Sequence, residues 1–235
     1  MNQLSFTLPF QSDDLLQIHS GDRLLLTGTL YVARDEAHRR LVDLKRAGKP
    51  LPIDLQNQVI YYAGPAPTKP GQVINSIGPT TAKRMDKYTA DMLELGAVGI
   101  IGKGERGTET RKLLKGKGIY MAALGGVSAK QARCIIKQEI VAFEEIGMEA
   151  LRRLSVVNFP VICINDLEGR DAYEFVLSSG VFFLSKILYR RQLESFSSRV
   201  SSWPHWGLIV HPRGSKRSLT RMLNGRFVGR NSRTE

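Results

Sequence analysis

Apolar and polar positions alternate along the first three quarters of the chain in a way that predicts strands and helices in turn. Arg23–Val32 (RLLLTGTLYV) is dense in leucine and β-branched residues, the pattern of a buried strand. Asp35 then reads as a helix cap. Ala37, Leu41 and Leu44 follow at helical spacing, Lys45 and Arg46 stand near the negative end of the helix dipole, and Gly48 and Pro50 act as stops. Residues 59–63 predict a second strand, Lys69-Pro70-Gly71 a turn and residues 73–77 a third strand. Gly78-Pro79-Thr80-Thr81 opens a helix with Met85, Tyr88, Met92 and Leu95 on one face, closed by Gly96. Beyond it come a strand at 98–101, a helix at 108–115, a strand at 119–124, the pair Gly125-Gly126 and a helix at 128–138. Shorter apolar runs at 140–143, 154–157 and 161–165 suit antiparallel strands. The alternation predicts an α/β domain with a partly parallel sheet over residues 1–175.

The pattern fades after that point. Residues 181–188 are apolar, and Ser, Arg, Gly, Trp and Pro then dominate, so 176–235 is expected to be a poorly ordered basic tail, most of all 195–235. The net charge of +12 belongs mainly to this tail, which holds 11 Lys and Arg against 2 Asp and Glu; residues 1–175 hold 23 against 20. The basicity is therefore a weak pointer to nucleic acid, although a salt-sensitive nucleic-acid tail is one reading of residues 176–235. With 42% hydrophobic and 24% charged residues, the composition is that of a globular protein. No apolar run reaches the roughly 18 residues of a spanning helix, and the N-terminus lacks a secretory pattern, so a cytoplasmic protein without a membrane partner is expected. Two cysteines, Cys134 and Cys163, are too few for a disulfide framework or for the three or four thiolates of an iron–sulfur cluster, and both read as structural thiols; no metal ligand set is visible in the chain.

Three segments place polar side chains at strand ends, where open α/β sheets bind ligands. Arg34 follows the first strand, with Asp35 and His38 close behind. Thr80, Thr81 and Arg84 stand at a helix N-terminus, where backbone N–H groups favour anions. Lys103 sits between Gly102 and Gly104. Each cation alone is an ordinary surface residue. Together, Arg34, Arg84 and Lys103 suit a small molecule carrying two carboxylates, because guanidinium groups grip carboxylates with paired hydrogen bonds and lysine adds a compact charge. His38 is a candidate general base, or a residue that orients Arg34. A rival motif, Gly102-Lys103-Gly104-Glu105-Arg106-Gly107, fits the dinucleotide fingerprint after a strand, but no acid follows near 121–126 where the ribose ligand belongs.

The same segments resemble a known family. Thr27-Gly28, Arg34-Asp35, His38-Arg39-Arg40, Ala63-Gly64-Pro65, Gly78-Pro79-Thr80-Thr81 with Arg84-Met85, Gly102-Lys103-Gly104, Gly125-Gly126, the stretch Glu145-Ile146-Gly147-Met148-Glu149-Ala150 and Phe159-Pro160 occur in the order seen in beta subunits of class I iron–sulfur fumarate hydratases and L-tartrate dehydratases, over residues 1–174. The resemblance implies a swivelling β/β/α three-layer fold. It implies a separate alpha subunit that binds a 4Fe-4S cluster through three cysteines, with this part closing over it in a hetero-oligomer. Carried over by position, it makes Arg34, Arg84 and Lys103 carboxylate-binding residues, Thr80 the base at C3 of the substrate, and Thr81, Asp35 and His38 supporting residues. The expected reaction is reversible hydration of fumarate to L-malate, with dehydration of L-tartrate to oxaloacetate as the alternative. The extension 176–235 departs from the family, whose members usually end near the equivalent of residue 173.

Overall fold

In the computed structural model, residues 2–11, 13–66, 73–123 and 128–174 are described. The expected turn at 69–71, the Gly125-Gly126 pair and the tail at 176–235 lie outside them. Arg23–Val32 (β2) forms the strand that its sequence predicts, and Gln3–Leu8 (β1), which the reading above did not assign, runs parallel beside it from Gln3↔Arg23 to Leu8↔Gly28. Val59–Tyr61 (β3), Gly99–Gly102 (β6) and Ile119–Ala123 (β7) continue the parallel set, in the order β2-β3-β6-β7. Leu151–Asn165 (β9) returns antiparallel between β7 and β2, and so closes five strands into a ring. Ile135–Ala142 (β8) adds an antiparallel edge to the first half of β9.

Period-two alternation on the ring strands sorts side chains into two cores. Leu24, Leu26, Val59, Tyr61, Ile101, Ile119, Met121 and Cys163 fill the inside. Tyr31, Ile60, Tyr62, Ile100 and Tyr120 face outward and are covered by Ala37, Leu41 and Val42 of the helix Asp35–Arg46 (α1), by Met85 and Met92, and by Leu114. The helices are thus held by the outer face of the ring. They are α1, a 3-10 helix at Ala82–Tyr88 leading into Thr89–Glu94 (α2), and Thr108–Leu114 (α3). None of the helices among the described residues is long and apolar enough to cross a membrane.

Four local expectations are corrected. Asp35 is the first helical residue of α1 and Arg34 is the N-cap; no side chain caps the helix in the usual way. The third strand is Ile77–Pro79 (β5), not 73–77, and it pairs antiparallel with Ala63–Pro65 (β4) in a separate two-stranded ribbon, where prolines cost no interior ladder bond. The helix expected over 128–138 stops at Arg133 (α4, Ser128–Arg133), because the Ile135–Ala142 backbone pairs with β9 instead; tertiary pairing overrides a helical pattern. Finally, 154–157 and 161–165 are one strand, interrupted by a bulge at which Asn158 adopts φ 51° and its N–H donates to Thr27 Oγ1 at 3.0 Å. Opposite this irregularity lies Gly28, at φ 129°, where a Cβ would meet the Leu8 carbonyl oxygen at 2.4 Å. Only glycine lets β1 approach there.

Candidate active site

Because β2, β3 and β6 are parallel neighbours, their C-terminal ends share one edge of the sheet, and Arg34 and Lys103 follow two of those ends, while Arg84 stands on the 3-10 helix after β5. Tyr62 N–H donates to Ile101 O at 2.8 Å, and Tyr62 O accepts from Thr80 N–H at 2.7 Å. Lys103 N–H donates to Thr80 O at 3.1 Å, and Ala82 N–H to Lys103 O at 2.9 Å, which makes a parallel bridge between Thr81 and Lys103. Both threonines are thereby fixed beside Lys103 by main-chain bonds. The amide of Ala82 at the start of the 3-10 helix is consumed by this bridge, so that N-terminus is less free for an anion than the sequence implied. Thr81 is exposed and its hydroxyl makes no capping bond. Lys103 is exposed and, among the described residues, pairs with no carboxylate.

Arg34 lies on the neighbouring strand end. Its Nη1 covers Gly64, where a Cβ would meet it at 3.0 Å, and Gly64 pairs with Gly78 just ahead of Thr80. Its Nη2 is 3.3 Å from Glu149 Oε1. Asp35, expected as a cap, instead forms an ion pair with Arg84, joining α1 to the 3-10 helix. With Arg84 49% exposed, this pair contributes at most about 1 kcal/mol, and the guanidinium stays accessible. Arg34, Thr80, Thr81, Arg84 and Lys103 therefore lie around one edge of the sheet; among the described residues Thr81, Arg84 and Lys103 are exposed, and Arg34 and Thr80 are half-buried.

His38 is not on that surface. It is 0% exposed, stacked on Tyr88 and edge-on to Tyr62. Its Nδ1 lies 2.7 Å from the Arg34 carbonyl, which also accepts the His38 N–H at 2.9 Å. The ring therefore orients Arg34 and is too deep for a base that meets substrate. Burial lowers its pKa from 6.5 to about 4, with the Arg34 carbonyl and Asp35 opposing the shift. The unfolded chain takes up this proton near pH 6.5 and the folded chain only near 4, so stability falls as pH drops through that window. The full contribution is about 3 kcal/mol. His38→Gln should flatten the pH 7 to 4 dependence of urea stability by that amount; identical slopes in both proteins would refute the buried neutral imidazole.

Arg106, in the glycine-rich loop after β6, is the anchor beneath the site. It is 4% exposed, donates from Nε to Asp86 Oδ1 and from Nη2 to the Thr89 hydroxyl, both at 2.6 Å, and lies between the rings of Tyr62 and Tyr120 at 5.7 and 5.1 Å. The Tyr120 hydroxyl donates to Gly104 O at 2.7 Å. These bonds hold the Lys103 loop against the helix that carries Arg84. They also remove the dinucleotide reading: the Gly107 N–H that opens α3 donates to Asp86 Oδ2 at 2.8 Å, so a carboxylate occupies the place that motif reserves for pyrophosphate.

The cysteines do not suit a cluster. Cys163 is fully buried inside the ring, and burial pushes its thiol well above the ordinary range; Cys134, half-buried, is raised by the same cause. Thiolates are what iron binds, and the described residues contain no group of three or more His, Cys, Asp or Glu arranged for a metal.

Comparison with known proteins agrees with the segments quoted above. A family model described as Fumarase C-terminus matches residues 2–176. The class I anaerobic fumarate hydratase of Escherichia coli K12 is 41% identical over 168 residues, which are 70% of this chain and 30% of that protein. The putative L(+)-tartrate dehydratase subunit beta of Methanocaldococcus jannaschii is 38% identical over 170 residues, 69% of this chain and 87% of that one. The L(+)-tartrate dehydratase subunit beta of E. coli K12 is 36% identical over 171 residues, 70% and 84%. The chain thus spans under a third of the fumarate hydratase but most of each beta subunit. With a family model over most of the described chain and beta subunits covered to 84–87%, the chain belongs to the Fumarase C-terminus family, shared with class I fumarate hydratases and L-tartrate dehydratase beta subunits.

Proposed function

We propose that this chain is the beta part of a cytoplasmic class I hydro-lyase that hydrates fumarate reversibly to L-malate, working with an alpha subunit that holds the 4Fe-4S cluster. The observation that carries this reading is the grouping of Arg34, Thr80, Arg84 and Lys103 around one sheet edge, a set of groups for a dicarboxylate in which, among the described residues, Arg84 and Lys103 are exposed. Closure by a partner would exclude water and strengthen every one of these charges. A mobile layer that swings onto the alpha subunit, the swivelling three-layer arrangement, fits that need. A hetero-oligomer also fits the coverage of the separate beta subunits.

The residues of this chain would do two things. Arg34, Arg84 and Lys103, with Thr81 beside them, bind and orient the carboxylates. Thr80 takes the proton at C3 in the dehydration direction and returns it in hydration. A threonine hydroxyl is a very weak acid, so this role needs its alkoxide stabilised by the adjoining cations. The main-chain bridge that sets Thr80 and Thr81 beside Lys103 supports this role for Lys103. L-tartrate dehydration is the second reading, favoured by the 84% and 87% coverage of the tartrate dehydratase beta subunits.

Anaerobic co-purification with the cluster-bearing alpha chain, then assays with fumarate and L-tartrate, tests both. Air-sensitive activity that requires both chains is expected. Higher kcat/KM for tartrate would reverse the order of the two readings, and failure to associate would overturn both.

A further inference from the structure

We propose that Glu149 is a positioning residue for carboxylate recognition: it holds Arg34 by one guanidinium nitrogen and leaves the rest of the fork for substrate. The inference rests on the reading of Arg34 as a substrate-binding residue. Glu149 ends the 3-10 segment Glu144–Glu149, and the strand after it is locked in register against β2 through Arg152↔Val32. Its place is thus set by the sheet, not by a free loop. Both carboxylate oxygens are used. Oε2 accepts the Glu36 N–H at 2.9 Å, at the first turn of α1, and Oε1 lies 3.3 Å from Arg34 Nη2.

The first contact explains how α1 begins. Its N-cap is an arginine with no capping hydrogen bond of its own, and Glu149 supplies a negative acceptor at the positive end of the helix from 113 residues away. The second contact is longer and single-nitrogen, unlike a paired guanidinium–carboxylate grip. Elsewhere Arg34 is confined: its carbonyl is held by His38, Nη1 lies on Gly64, and Nε is buried without a hydrogen-bond partner. The guanidinium is thus fixed at two points, Nη2 on Glu149 and Nη1 on Gly64, and with its side chain still 23% exposed it is preorganised for an incoming carboxylate.

The test uses the two-chain enzyme. Glu149→Gln keeps an oxygen for the Glu36 N–H but removes the charge facing Arg34. We expect KM for the dicarboxylate to rise about tenfold, as loss of one charge-assisted contact implies, with kcat within about threefold of wild type and little change in melting temperature. Glu149→Ala should raise KM as much and also lower the melting temperature. An unchanged KM in Glu149→Gln would overturn the proposal and leave Glu149 as a helix anchor only. A lowered KM would also overturn it, showing that Glu149 competes with substrate for Arg34. A wild-type pair inactive toward fumarate and tartrate alike would overturn the functional reading, and this inference with it.

Discussion

Thr80→Ala in the assembled enzyme is expected to lower kcat about a thousandfold while KM stays within about threefold, the range for removing a positioned proton-transfer group. The reason is local. Thr80 is held by its own backbone, through bonds to Tyr62 and Lys103, so loss of the side-chain hydroxyl leaves the main chain and its neighbours in place. Binding, which we propose is carried by Arg34, Arg84 and Lys103, should survive. Solvent deuterium incorporation at C3 of the product should fall with kcat, and Thr80→Ser should restore a large part of both. Arg84→Ala, by contrast, should act first on KM, because its guanidinium is half exposed and, among the described residues, pairs with Asp35. Turnover near wild type in Thr80→Ala would remove Thr80 from the chemistry.

Arg106→Leu is expected to be the most damaging single change to stability, costing about 3 kcal/mol and lowering the melting temperature by on the order of 10 °C. The substitution leaves Asp86, whose side chain is 19% exposed, with the Gly107 N–H but without its cation, and leaves the Thr89 hydroxyl with a weak 3.4 Å bond to Met85 O. Two tyrosine faces lose the charge between them. Urea unfolding measures the cost. The double change Arg106→Leu with Asp86→Leu should recover part of it, since removing both partners of a buried pair is far cheaper than removing one. If Arg106→Leu unfolds like wild type, the network is not what anchors the Lys103 loop.

Much of this arrangement was legible in the sequence, for a physical reason. Parallel strands have their C-terminal ends on one edge, so residues that directly follow apolar strand patterns must lie near one another. Arg34 and Lys103 were found this way. Thr80 and Thr81 were singled out by their place before a helix and by family resemblance, and the Thr81–Lys103 bridge confirms that they adjoin the same edge. The strand Arg23–Val32 was read with its true limits because leucine and β-branched residues recur along it, with Leu24, Leu26, Leu30 and Val32 in the inner core and Tyr31 under the helical layer.

What failed was everything decided by a partner distant in the chain. Residues 135–138 carry a helical continuation but form a strand, because β9 offers a ladder that local propensity does not know. Lys103 and Arg106 lie three positions apart in one glycine-rich loop; nothing local says that the first faces solvent and the second is enclosed by Tyr62, Tyr120 and Asp86. His38 looked like a base by its type and is a buried support by its place. Glu149 belonged to a quoted segment without a role until the fold set it against Arg34 and Glu36. By itself the sequence determined the α/β class and the strand-end cations, which follow from periodicity and local order, and its segments resembled the family. Only the tertiary structure decided which charges are buried, which are paired and which remain open to a ligand, because desolvation and ion pairing depend on residues that only the closed sheet brings together.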